Sequence, residues 1–545
     1  MGTKVYDNYA DLITFNRNSK GTALRPIGYG DELVTNGTFD TDVSGWTSWG
    51  SIISYDSSNN ALRIDGNGFA FCGAYQGVST EVGKVYALTM DIIDLQSGGS
   101  SGFRVGSSYG GQNDVLDVNA PVNYLGQFKA LFRATSTVSY VLARSSPTTS
   151  GYAVVDNISV KEVLFDREGD PLTLFLHPEG VPRIEYDADR NLKGLLIEPE
   201  STNQVRNGSA TGSTTGVIGS GGVYPTNWTA PSVTPGISVE VIGTGTEIGV
   251  SYIDLKFSGT ATATTQTRLA FESGTQIVAA PSEVWTTSFF AKTIDLTAAY
   301  DSVAVQQVYR NGAGGLIGAD ADQKTLTSSL ARYSETGTTT ALTGYIVPEI
   351  VFGFTNAQAY DFTVRIGWVQ CEGSPIATSP MPTTGSPFTR GKDEATMTNV
   401  SGLIGQKEGT FYMEVDFRTA TGAYQHILNV NDGTPANRIL IWVFGGNTLM
   451  YIDSNGSLVL NTGASSLSNG VQKLAFAYAN GDQEFYRNGS SIGTGTGSLT
   501  SLPTLTDIDL LQSPGAIRQP NMWIRAVALF TRRLSDAECI ALTTL

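Results

Sequence analysis

The stretch Lys473–Gly493, KLAFAYANGDQEFYRNGSSIG, sets the strongest constraint on the fold: three short alternating runs are separated by Asn480-Gly481 and Asn488-Gly489. An Asn-Gly pair takes the positive φ of a two-residue hairpin turn, and alternation places every second side chain on one face. Such a stretch folds as antiparallel strands. The same grammar recurs in EGTFYMEVDF from Glu408 to Phe417, ILIWVFGG from Ile439 to Gly446 and LMYIDS from Leu449 to Ser454. Glycine is abundant at 62 residues and charged residues make up only 15%, a composition suited to many short strands joined by turns. A helix is expected only at LSDAECIALTTL, where Ser535 caps and Asp536 and Glu538 occupy the first turn.

A chain of 545 residues exceeds one core and divides into several domains of roughly 100–200 residues each. The expected class is all-β: three tandem β-sandwiches after a short N-terminal segment. Residues 1–30 form that lead segment, 31–163 the first sandwich and 164–204 an extended connector. A second sandwich spans 205–390 and a third 391–545. The connector holds GVPRIEYDADRNLKGLLIEPESTN, Gly180–Asn203, in which Pro182 and Pro199 forbid a through-running helix.

The net charge of −16 argues against nucleic-acid binding and against docking on anionic membranes. No run approaches the roughly 18 apolar residues of a membrane-spanning helix, and the N-terminus lacks a secretory apolar core, so synthesis and assembly in the cytoplasm are expected. Cys72, Cys371 and Cys539 are distant and odd in number, which favours buried free thiols over disulfides or a zinc site.

Several motifs carry a resemblance. The phrases GVPR-x-x-YD and GLLIEP-x-x-TN, with LITFNRNS at Leu12–Ser19 ahead of them, resemble a recurring signature of tailed-phage virion proteins. So does the exit IGWVQCEGSPIATSPMPTTGSPFTR, although here Gln370 is followed directly by Cys371 and Glu372. The opening ELVTNGTFDTDVSGWT at Glu32–Thr47 and the closure VVDNISVKEV at Val154–Val163 resemble jelly-roll carbohydrate-binding modules, whose first and last strands lie near one another. The YRNG hairpin, the IRAVALFTRRLSDAE return strand and the closing helix resemble laminin-G or concanavalin-like lectin domains.

The resemblance implies a phage or phage-like virion component of tail-fibre or spike type that binds host-surface glycans. A head fibre or capsid decoration protein is the close alternative, and a polysaccharide depolymerase the competing enzyme. It further implies a virion-surface location, other virion proteins as partners and a homotrimer, with neither nucleic acid nor membrane insertion.

Glycan-stacking candidates are Trp46 and Trp49 in the first sandwich, Trp228 in the second, and Tyr424, Trp442 and Tyr451 in the third. A packed core accounts for such rings equally well. Tyr55, Tyr75 and Trp285 belong to the same set. Tyr6, Tyr9, Leu12, Ile13 and Phe15 lack a core of their own and are expected to anchor the chain to the particle, leaving the third domain outermost. Deleting residues 1–25 is then expected to leave a folded chain that no longer joins particles.

No catalytic or metal-binding residues are expected. Glu414 and Asp416 share a strand face, yet the third carboxylate of the glucanase pattern E-x-D-x-x-E is replaced by Thr419. His177 and His426 have no nucleophile elbow beside them. The acidic loop Asp166–Asp170 offers only a weak Ca²⁺ site, and no cofactor is expected.

Overall fold

The computed structural model describes residues 13–66, 72–109, 114–145, 151–419, 425–510 and 521–545. It is all-β, with antiparallel sheets paired into sandwiches and one closing α-helix, Asp536–Thr543, among the described residues. Ser535 caps that helix as expected, and the structure completes a capping box: the Ser535 hydroxyl accepts from the Glu538 backbone, and the Glu538 carboxylate accepts from the Ser535 backbone. Both expected hairpins form. Asn488 and Gly489 adopt φ of 48° and 79°, whereas at the first turn the positive φ falls on Gly481. All three cysteines are buried free thiols. None of the described helices is long and apolar enough to cross a membrane.

The chain forms two compact units, one of residues 25–172 and one of residues 1–24 with 173–545. The first unit is a sandwich. One sheet runs in the order Gly126–Arg133, Val85–Leu95, Tyr152–Phe165, Gly21–Glu32, and the other in the order Thr47–Trp49, Gly73–Ser79, Val138–Arg144, Gly102–Gly106, Leu116–Asn119. Opening and closing strands pair, with Glu32 opposite Lys161 and Ile27 opposite Phe165. Between the sheets lie Phe39, Trp46, Leu88, Phe103, Val141 and Val155.

The second unit holds two sandwiches. In the first of them a six-stranded sheet built on Val250–Thr260, Ala359–Glu372 and Val284–Ala298 faces one built on Tyr345–Phe354 and Ser302–Arg310. Its core includes Phe257, Phe271, Phe352 and Phe362. The last sandwich packs Phe411, Val415, Ile441 and Phe476 between two seven-stranded sheets.

Two expectations are corrected here. The segment 164–204 is extended, as its prolines require, but it is not a free connector. Ile184–Tyr186 and Leu192–Ile197 join a sheet of the last sandwich through Met522–Phe530, and Ser201–Asn203 pairs with Phe388–Arg390. The apolar run explains this, because Leu196 and Ile197 are fully buried. The lead segment is also built in. Thr14–Asn16 adds to the sheet edge at Glu394–Met397, and Ile13 and Phe15 pack against the core of the last sandwich. Those two side chains therefore have a core, and Tyr6, Tyr9 and Leu12 lie outside the described residues.

The motifs behind the virion resemblance converge on one buried ion cluster. Arg183 of the GVPR phrase reaches Glu198 of GLLIEP at 2.8 Å and the Ser379 hydroxyl at 2.6 Å, and also pairs with Asp393. Arg17 of LITFNRNS reaches Asp393 at 3.1 Å and donates to the carbonyls of Pro178 and Val181. Arg390 and Arg418 approach Glu198 at 3.5 and 2.6 Å. The side chains of Arg17, Arg183, Arg390, Glu198 and Asp393 are fully buried.

Burial alone would raise the Glu198 pKa, but Arg390, Arg183 and Arg418 hold the carboxyl well below the usual range. Burial, with Arg183 adding to it, lowers Arg17 to about 10. The exit motif is wired into the same region. Glu372 accepts from the Ser201 and Thr378 hydroxyls, Gln370 accepts from the Met381 backbone, and Ser379 donates its backbone N–H to Glu198.

Candidate glycan-binding faces

Alternation in the five-stranded sheet of the first sandwich sends Ala74, Val141, Phe103 and Val105 into the core. Tyr75 and Tyr140 therefore project from the opposite face. Register places Thr47 opposite Tyr75 and Trp49 opposite Gly73, so Trp49 shares that face. Tyr109, which is 63% exposed, completes a group of four rings. Its centroid lies 5.8 Å from Trp49, 5.6 Å from Tyr75 and 6.2 Å from Tyr140, all edge-to-face. Such contacts hold rings in place without core packing. Gly77 stands opposite Tyr140, and a Cβ there would touch the Tyr140 ring at 3.4 Å. The missing side chain lets the ring lie over the strand. Burial, then the neighbouring Tyr109, raises the Tyr75 pKa.

A second aromatic strip lies on the last sandwich. In the strand Arg438–Phe444, Ile439, Ile441 and Val443 enter the core, which turns Arg438, Trp442 and Phe444 outward. Trp442 and Phe444 are nearly parallel, at 10° and 5.4 Å, and Tyr451 meets Trp442 at 5.6 Å from the neighbouring strand. Arg438 lies 5.3 Å from the Tyr451 ring and is held by Asp453 at 3.2 Å. Phe444 is 41% exposed. Flat rings beside a few charged hydrogen-bonding groups suit a ligand with apolar ring faces and polar edges.

The remaining candidates divide on burial. Trp46 and Trp228 are core residues and not stacking platforms. Trp46 packs on Phe39 and donates its indole N–H to the Asn36 carbonyl at 3.0 Å. Trp228 packs on Phe271 and donates to the Asn207 carbonyl at 2.9 Å. With face and edge both occupied, neither offers a surface to a sugar. Trp285 is likewise buried, its indole N–H on Glu283. Tyr55 spends its hydroxyl on the Asp40 carbonyl and Asn60. Tyr424 lies outside the described residues.

Residue-by-residue reading of the sequence passed over Tyr109, Tyr140 and Phe444. The signal for Phe444 is present in I-L-I-W-V-F, where it sits two positions after Trp442 on the same face. Tyr109 stands in a loop and has no such signal.

The groups weighed for catalysis are engaged elsewhere. Asp416 pairs with Lys193 at 3.1 Å and Glu414 with Arg525 at 3.2 Å. His177 is fully buried, its Nδ1 at 3.1 Å from the Phe175 carbonyl and its ring edge-on to Phe175. His426 is buried in a strand opposite Trp442. In the acidic loop, Asp166 is taken by Arg25 through Nε at 2.7 Å.

No protein-family model matches the chain, and no curated protein does. Solved structures similar to parts of it include the carbohydrate-binding module of the Ruminococcus gnavus intramolecular trans-sialidase (16% identity, TM-score 0.24), which aligns with 27% of this chain and 92% of its own. Mouse laminin α1 domains LG4-5 align at 9% identity over 54% of this chain and 96% of theirs, with a TM-score of 0.19. The tripod from the baseplate of bacteriophage Tuc2009 aligns at 11% identity over 51% and 97%, with a TM-score of 0.20. At these scores the likenesses carry no argument about function.

Proposed function

We propose that this chain is a virion surface protein of tail-fibre or spike type that binds host-surface glycans through the aromatic faces of its first and last sandwiches. It acts as an adhesin and not as a depolymerase. The observation that carries the reading is the group on the face of a sheet turned away from its core, where exposed Tyr109 and half-buried Trp49 and Tyr140 gather over the buried ring of Tyr75. A folding requirement alone places large aromatics inward, as it does Trp46 and Trp228. The virion context is supported by the GVPR, GLLIEP and LITFNRNS phrases. Shallow single sites of this kind gain strength from many copies, and a homotrimer supplies them. Particle attachment falls to the residues before Ile13, because Ile13, Phe15 and Arg17 serve the fold.

A glycan array probed with the intact chain tests the binding role, and reproducible hits on bacterial envelope polysaccharides are expected. Labelling purified particles with an antibody against the last sandwich tests location, with signal at the tail supporting a fibre and signal over the head supporting a decoration protein. An absence of both hits and particle label would remove the reading. Incubation with a bound polysaccharide should release no reducing ends.

A further inference from the structure

Beside the four rings, the same sheet face of the first sandwich carries a charged group. Phe103 and Val105 enter the core, so Arg104 between them points outward; Arg144 follows the core residue Ala143, and Asp117 stands opposite Arg104. Register sets Tyr75, Leu142, Arg104 and Asp117 in one row across the sheet, and Trp49, Gly73 and Arg144 in the next. At about 4.8 Å between strands, Arg104 and Tyr75 are rooted about 10 Å apart.

The Asp117 carboxylate bridges both guanidinium groups, Oδ1 to Arg144 at 3.0 Å and Oδ2 to Arg104 at 3.1 Å. The arginine side chains are only 5% and 9% exposed, and Asp117, at 36%, is the member of the group that faces solvent. The Ser101 hydroxyl donates to the Arg144 carbonyl at 2.7 Å and fixes that end of the strand. Two cations are thus held side by side about one carboxylate. Burial, then the charge of Arg104, lowers the pKa of Arg144. A second planar anion suits such a site, because a guanidinium pairs with carboxylate through two parallel hydrogen bonds. In a chain of net charge −16 this is a local reversal of sign.

We propose that this face binds a glycan bearing a carboxylate, a uronic or nonulosonic acid, with the acid group against Arg104 and Arg144 and the sugar rings against Trp49 and Tyr109. The inference rests on the reading of the aromatic group as a glycan platform. It adds the chemical class of the ligand.

Calorimetric titration of the intact chain tests it, with two matched pairs as probes: trigalacturonic acid against its methyl ester, and 3′-sialyllactose against lactose. At least one acid should bind about tenfold tighter than its neutral counterpart. Which pair responds identifies a uronic or a nonulosonic source. That preference should shrink as salt rises, collapse in Arg144→Gln and survive or grow in Asp117→Asn. If the melting temperature shows that Arg144→Gln is unfolded, Arg144→Lys should keep the charge but lose most of the preference, and the salt and ester comparisons on the native chain stand by themselves. Equal affinity for acid and neutral forms would overturn the charge selection while leaving the glycan platform in place. No binding to any of the four probes, together with an empty glycan array, would remove both.

Discussion

Arg183 shows how a residue that reads as recognition chemistry in a sequence serves the fold. Its guanidinium is spent on Glu198, Asp393 and Ser379 with no exposed surface. Removing one partner of a buried ion pair strands the other charge, so Arg183→Met should cost about 3–5 kcal/mol, read as a lower melting temperature in calorimetry. The pH dependence has a definite sign. The folded Glu198 carboxyl titrates well below its usual 4.5, so its contribution is complete above that value and is lost as pH falls through the folded one. Between about pH 5 and 3 the native chain should lose stability more steeply than Glu198→Gln. Among aromatics the contrast is between Trp46 and Trp49, three residues apart. Trp46→Ala should cost about 3–5 kcal/mol of stability, whereas Trp49→Ala should leave the melting temperature nearly unchanged.

At the scale of elements, the strand Thr14–Asn16 tests how much of the N-terminus is structural. Removing residues 1–25 takes away the edge strand and Arg17 of the ion cluster, so it should lower the melting temperature. Alternation made the strands of the last sandwich legible, and Asn488-Gly489 fixed a hairpin, because turn chemistry and side-chain period are local. Ser535 with Glu538 fixed the helix start for the same reason. The docking of 184–197 was not legible, since the strand it reaches, Met522–Phe530, lies more than 300 residues away. Trp46 and Trp228 were misread because each stands just ahead of a short strand, Thr47–Trp49 and Thr229–Ser232, where no alternation tells whether an indole turns inward. Trp442 could be placed by counting alternate positions from the core residues Ile439 and Ile441. Trp49 could not, because the strand Thr47–Trp49 is too short to show a period.

For the whole molecule, the three-sandwich plan divides its tasks unevenly. The second and third sandwiches share the ion cluster and the built-in segment 184–203, whereas residues 25–172 form a compact unit of their own. Calorimetry should therefore resolve two unfolding transitions, and only that of the second unit should respond to Arg183→Met. The aromatic face of the first sandwich is the feature on which the proposed adhesive role depends. The most direct test passes the intact chain over immobilised envelope polysaccharide chosen from array hits and compares it with the Trp49→Ala, Tyr109→Ala double variant. The account predicts at least about tenfold weaker binding, roughly 1.4 kcal/mol, at an unchanged melting temperature. Undiminished binding by a folded double variant would contradict it.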